Sequence, residues 1–256
     1  MIDLRGKSAL LAGAKRVGEH VARRLASEGV NLAIAYRNSK AEAESLASQV
    51  SADVERTAVV QADLSVESDV ERMVGEAASE LGGLSFVINM AADYQATPFD
   101  ELDGAAWDRS MGTARASYLL TTHAARKLMD NPGPTRGHIV LFGDWAAGET
   151  PYTGYIPYLT AKAAISFMVR AFAVELAPQG ILVNGIAPGP TMRPPEITPE
   201  EWERDAVALA PLKRESSPDD IAELIVAMLK SETITGETVR VDSGRHLAGP
   251  GVERRE

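Results

Sequence analysis

Lys7-Ser8-Ala9-Leu10-Leu11-Ala12-Gly13-Ala14-Lys15-Arg16-Val17-Gly18 is the stretch that decides the fold. Lys7 to Ala12 reads as a short, mostly apolar strand, Gly13 to Gly18 as a glycine turn, and a helical pattern continues through Glu28. Strand, glycine turn and helix together form the layout that holds a dinucleotide phosphate, because the free N–H groups at a helix N-terminus face the anion. Downstream, apolar runs at Asn31 to Tyr36, Thr57 to Gln61, Phe86 to Asn89, His138 to Phe142, Ile181 to Ile186 and Thr238 to Val241 alternate with helix-length segments. Such alternation predicts βαβ units, hence an α/β fold: a single-domain, Rossmann-type, doubly wound parallel sheet of about seven strands with helices on both faces. Right-handed crossovers make the strands spread both ways from the first, and ligands then gather at the strands' carboxyl ends, where the winding reverses. Gly13, Asp63, Asn89, Asp144 and Pro188-Gly189 follow or end successive strands and fall in that crevice.

With 256 residues, 45% hydrophobic and 24% charged, the chain has material for one well-buried core over 1–256. Zero cysteines exclude a disulfide framework and thiolate metal sites, and His20, His123, His138 and His246 show no ligand spacing, so no metal is expected. A formal charge of −10 argues against nucleic acid or an anionic membrane as the main partner and leaves a small-molecule substrate. No apolar run approaches the ~18 residues of a membrane span, and Met1 to Arg5 lacks a signal-peptide core, so a cytoplasmic protein is expected.

The second informative stretch is Gly154-Tyr155-Ile156-Pro157-Tyr158-Leu159-Thr160-Ala161-Lys162. On a helix, Tyr158 and Lys162 share one face. A phenol titrates near ~10 in water, and a neighbouring cation favours its anion, so the pair reads as an acid/base device. Tyr155, two turns before Lys162, is a rival acid, but Pro157 predicts that the helix begins after it. The helical stretches Ala105 to Asp130 and Tyr158 to Ala177 carry apolar residues, among them Met168, Val169, Phe172 and Leu176, enough to cover both a core and a second subunit. A homo-oligomer, tetramer or dimer, is therefore expected. The Pro-rich segment 190–211 around Trp202 reads as a substrate lid, and 249–256 as a polar, frayed tail.

The glycine turn, Asp63-Leu64, Asn89-Met90-Ala91-Ala92, Tyr158-x-x-x-Lys162 and Pro188-Gly189 after Val183-Asn184 occur in one specific order. In that order the chain resembles the short-chain dehydrogenase/reductases over essentially its whole length. Ala14-Lys15-Arg16-Val17-Gly18, Val60-Gln61-Ala62-Asp63-Leu64-Ser65, Asp144 in a slot usually held by Ser, and Tyr94 make it most similar to the pteridine reductases and their dihydromonapterin and dihydrofolate reductase relatives. The resemblance implies Tyr158 as proton donor, Lys162 as the partner that lowers its pKa and holds the nicotinamide ribose, and Asp63 on the adenine edge. It further implies cofactor contacts from Gly13, Lys15, Arg16, Val17, Gly18, Leu64, Asn89, Ala91, Pro188 and Gly189, and substrate contacts from Arg16, Tyr94, Asp144 and Trp145. Read without the resemblance, Asp63 is the N-cap of a helix starting near Val66, and Tyr94 packs on Phe99 or Trp107.

NADP(H) is the expected cofactor. A carboxylate after the second strand would suit a ribose 2′-hydroxyl, whereas Arg37-Asn38-Ser39-Lys40 offers cations and hydroxyls for a 2′-phosphate, helped by Lys15 or Arg16. An ionised Asp144 only accepts hydrogen bonds, which disfavours a simple ketone and suits a substrate with N–H donors, or a proton relay to Tyr158. The expected function is thus an NADPH-dependent reductase of a pterin-like or other flat, nitrogen-bearing substrate. The alternatives are an NADPH-dependent carbonyl reductase of the 3-oxoacyl-carrier-protein or alcohol/sugar type and a non-catalytic dinucleotide sensor. Three departures from the family pattern stand out: Ala12 in place of the first glycine, Thr113 or Ala114 where a relay Asn is usual, and Met90 after Asn89.

Overall fold

In the computed structural model, which describes residues 1–195 and 197–248, each apolar run forms a strand. These are β1 (Ser8–Ala12), β2 (Asn31–Tyr36), β3 (Thr57–Gln61), β4 (Phe86–Asn89), β5 (Gly137–Phe142), β6 (Ile181–Pro188) and β7 (Thr238–Val241). All pair in parallel in one seven-stranded sheet of order β3-β2-β1-β4-β5-β6-β7. The chain winds outward from β1 to β3, then returns to lay β4 on the other side of β1. Ala12 pairs with both Ala35 and Asn89, so the ends of β1 and β4 meet where the winding reverses.

The helices are α1 (Val17–Ser27), α2 (Lys40–Val50), α3 (Glu67–Leu81), α4 (Gly104–Leu128), α5 (Ile156–Leu176), α6 (Pro199–Trp202) and α7 (Pro218–Lys230). Strand side chains alternate between faces. Leu10, Val87 and Ile139 join one core with α3, α4 and α5, while Leu11, Ile88 and Val140 join the other with α1, α2 and α7. Burial on both faces is why the strands read as continuous apolar runs rather than alternating ones. Met168 and Phe172 pack, partly buried, against the first core.

Helix ends follow local chemistry. Asp103 caps α4 by accepting from Ala106 N, Ser217 caps α7, and Gly82 ends α3 at φ 74. Helix α5 starts at Ile156 rather than Tyr158, because Pro157 in the first turn loses no helical bond there. Asp63 does not cap α3: Val66 is the N-cap position, and the Asp63 carboxylate accepts from Ser65 N at 2.9 Å and Ser65 Oγ at 2.7 Å. Within 190–211, a Thr198/Glu201 capping box opens α6, which runs into one π turn at Glu203–Val207. The expected tail at 249–256 lies outside the described residues. Among the described residues no helix is long and apolar enough to cross a membrane.

Candidate active site

The carboxyl ends of the strands open on a cleft of about 1180 Å³. Its lining includes Gly13, Lys15, Arg16, Val17, Gly18, Arg37, Ser39, Asp63, Leu64, Asn89, Ala91, Tyr94, Asp144, Trp145, Tyr158, Lys162, Pro188 and Gly189. The sheet thus gathers residues spread over the chain. Asn38 is the exception: it lines an adjacent pocket of about 550 Å³ with Arg37, Gln61 and Arg72.

At the glycine turn, Gly13 holds φ 78, and a Cβ there would lie 2.4 Å from Ala91 N. Only glycine fits. A Cβ on Gly18 would stand 2.7 Å from Gly13 O. Ala12 is the buried last residue of β1, so turning begins at Gly13 and the substitution for glycine falls in the strand, where a methyl is tolerated. Arg16, just before α1, adopts φ 56 and ψ −111, rare for a side-chain-bearing residue, and its guanidinium donates to Met192 O in the 190–211 segment. Asn89 accepts from Ala91 N at 3.2 Å and donates to Ser117 Oγ at 3.1 Å, which fixes the loop after β4. Hydrogen bonds from Ser65, its side chain first, hold the Asp63 pKa below its ordinary value. A close-approach glycine turn before a helix N-terminus, with Arg37 and Ser39 across the cleft, fits a dinucleotide carrying a 2′-phosphate. Not all expected cations are disengaged: Lys15 Nζ sits 3.0 Å from Glu42 Oε1, and Lys40 Nζ 3.4 Å from Glu44 Oε1.

At the other end, Tyr158 Oη donates to Asp144 Oδ2 at 3.0 Å, and Tyr152 Oη to the same oxygen at 3.5 Å. Asp144 Oδ1 accepts from Ala146 N at 2.8 Å. Burial raises the Asp144 pKa, opposed by these hydrogen bonds and by the charge of Lys162. Lys162 is 2% exposed, donates to Phe142 O at 2.8 Å, and stands 5.8 Å from the Tyr158 ring centroid. Burial lowers its pKa to about 8. The expected lowering of the Tyr158 pKa by Lys162 is not what the groups around the phenol favour. Burial first, and then the Asp144 charge beside the hydroxyl, raise that pKa well above a phenol's usual value. The reason is geometric, since Asp144 meets the phenolic oxygen directly while Lys162 reaches to a backbone carbonyl.

Tyr94 is 52% exposed and packs on neither Phe99 nor Trp107. It stacks on Tyr155 (4.7 Å between centroids, 20°) and meets Tyr158 edge-on at 5.1 Å. Tyr155, the rival acid, is therefore engaged in the aromatic cluster, and Tyr158 makes the carboxylate contact. Of the two residues in the usual relay slot, Thr113 lines the cleft and Ala114 is buried in the core.

Two residues here, Arg245 and Glu42, have no motif to announce them, whereas Tyr152 stands in the sequence between Asp144 and Tyr158. Arg245, from the short 3-10 turn Arg245–Leu247 near the C-terminus, lines the cleft and lays its guanidinium 4.8 Å over the Trp145 ring. Glu42 reaches the cleft from α2. Tyr152 stacks on Trp145 at 5.9 Å as well as meeting Asp144. Pro194, Ile197 and Trp202 bring the 190–211 segment to the rim. Among the described residues no cluster of His, Asp and Glu suits a metal ion.

Comparison with known proteins agrees with this architecture. A family model described as Enoyl-(Acyl carrier protein) reductase matches residues 12–246. The Hydroxynaphthalene reductase-like protein Arp2 of Metarhizium brunneum is 28% identical, across 94% of this chain and 96% of that protein. The 3-oxoacyl-[acyl-carrier-protein] reductase FabG of Staphylococcus aureus is 28% identical, across 94% and 98%. The crystal structure of FolM Alternative dihydrofolate reductase 1 from Brucella canis, complexed with NADP, superposes with TM-score 0.87 at 29% identity, covering 100% of both chains.

Proposed function

The chain belongs to the short-chain dehydrogenase/reductase family as an NADP-dependent oxidoreductase, and from that premise we propose that it reduces a pterin-like or other flat, nitrogen-bearing substrate. One observation carries the reading: the residue bonded to the Tyr158 hydroxyl is a carboxylate, Asp144, at 3.0 Å. A hydroxyl in that place donates to a ketone oxygen; an ionised carboxylate cannot. The likeness to a FolM alternative dihydrofolate reductase supports the same substrate class.

Bound NADPH supplies the hydride. The chain's own residues bind it and manage the proton. The glycine turn, Arg37 and Ser39 orient the cofactor. Tyr158, protonated at Oη, gives its proton to the substrate atom that gains negative charge. Lys162 keeps a positive charge beside the phenolate so formed. Once Tyr158 has given up its proton, Asp144, ionised at rest, lining the cleft and with its proton affinity raised by burial, takes a proton from solvent and passes it to Tyr158 Oη through Oδ2. The half-exposed Tyr94 ring offers a flat face against which a planar substrate packs, and the segment 190–211 covers it. Tyr118, Phe167 and Val174 remain exposed on α4 and α5, and a homo-oligomer, dimer or tetramer, covers them. A cytoplasmic location belongs to the same proposal.

The likeness to FabG favours a second reading, reduction of a 3-oxoacyl ketone. The test follows NADPH oxidation with dihydropterin, dihydrofolate, acetoacetyl thioester and simple ketones, each with the wild type and Tyr158→Phe. Turnover of the pterins, reduced at least ~100-fold in Tyr158→Phe, is expected. Turnover of ketones alone sinks the heterocycle assignment in favour of the second reading.

A further inference from the structure

The 2′-phosphate side of the cleft holds a feature that the order of residues after β2 conceals. Arg37-Asn38-Ser39-Lys40 contains no acid, yet Glu42 and Glu44 follow within the first turns of α2 and fold back onto cations. Lys40 pairs with Glu44 on its own helix, whereas Lys15 belongs to the glycine turn before α1 and meets Glu42 from the far side of the cleft mouth at 3.0 Å. Both Lys15 and Glu42 line the cleft. Arg16 is engaged by Met192 O, and Arg37 makes no ion pair among the described residues. Lys15 is thus a cation facing the cofactor cleft whose charge is already answered by an acid of that same cleft.

We propose that Glu42 is a specificity-determining residue: its carboxylate competes with the 2′-phosphate of NADP(H) for the ammonium of Lys15, and so sets how strongly NADP(H) is preferred over NAD(H). The pair suits such competition. The two side chains are 59% and 60% exposed, and an exposed ion pair is weak enough for an arriving dianion to displace. The carboxylate does not leave the site when displaced. It stays on the first turn of α2, where the helix N-terminus favours its charge and its own backbone N–H, ahead of Lys15, lowers its pKa. NAD(H), lacking the 2′-phosphate, does not call on Lys15. The inference rests on the NADP assignment and is independent of the substrate.

The test is calorimetric titration of the whole protein with NADP+ and NAD+, for wild type, Glu42→Gln, Lys15→Met and the double variant. Glu42→Gln is expected to tighten NADP+ by about 3- to 10-fold and to move NAD+ by less than about twofold. In the Lys15→Met background the same substitution is expected to change NADP+ affinity by less than about twofold. Equal tightening of both dinucleotides, an unchanged NADP+ affinity, or a gain that persists without Lys15 would overturn the proposal. Failure of the wild type to bind either dinucleotide would overturn it together with the NADP assignment.

Discussion

Asp144 accepts three hydrogen bonds, from Ala146 N, Tyr158 Oη and Tyr152 Oη, and an ionised carboxylate has about four places for them. One place is left for a substrate N–H, so at the residue scale Asp144 has room both to receive the substrate and to relay a proton to Tyr158. Tyr152 tunes that relay, because its hydroxyl shares Oδ2 with Tyr158 and its bond lowers the Asp144 pKa. Tyr152→Phe is expected to raise that pKa further, moving the Asp144 limb of the kcat/KM pH profile upward while KM for NADPH stays constant. An unmoved limb would leave Tyr152 as packing alone. The Tyr158 and Lys162 pairing was legible from their spacing. Asp144 as a relay to Tyr158 was expected as well; what spacing could not encode is that Lys162 reaches a backbone carbonyl and leaves the phenolic oxygen to the carboxylate.

The unit formed by β1, the glycine turn and α1 is the best-read element of the chain, since its strand is apolar, its turn is glycine and its helix is amphipathic. The consequence of Ala12 depends on the folded turn: Ala12 ends β1 and Gly13 makes the close approach to Ala91 N. Gly13→Ala is expected to push the loop after β4 away from β1. It should weaken NADP+ binding at least ~10-fold and destabilise the fold by about 2 kcal/mol, as read by titration and thermal melting. A neutral effect on both would show that the turn adapts. The start of α5 just after Tyr155 was legible, since proline is favoured in a helix's first turn. The turn residue Arg245 was invisible in sequence because a lone arginine near a C-terminus has no pattern, and only the packing of β7's following loop against Trp145 brings it to the cleft.

For the molecule as a whole, strand count, parallel pairing and the doubly covered sheet followed from alternation alone, because burial on both faces writes itself as apolar runs. One polar intrusion in that core sets acid stability. His138 on β5 is 1% exposed, its ring nitrogens find no hydrogen-bond partner among the described residues, and burial lowers its pKa from 6.5 to about 4. The unfolded chain therefore binds the extra proton first. Stability is fully present above pH ~6.5 and falls, by on the order of 3 kcal/mol, as pH drops toward ~4. Denaturant melts across that window are expected to flatten in His138→Leu; an unchanged slope would assign the acid sensitivity elsewhere. The substrate choice of the whole enzyme rests on Asp144, and exchanging it for the hydroxyl that a ketone requires is its most direct test. In Asp144→Ser, the ratio of kcat/KM for dihydropterin to that for a 3-oxoacyl thioester is expected to fall at least ~10-fold, with the ketone gaining in absolute terms. A wild type that already prefers the ketone, or an Asp144→Ser variant that leaves the ratio unchanged, would contradict the account.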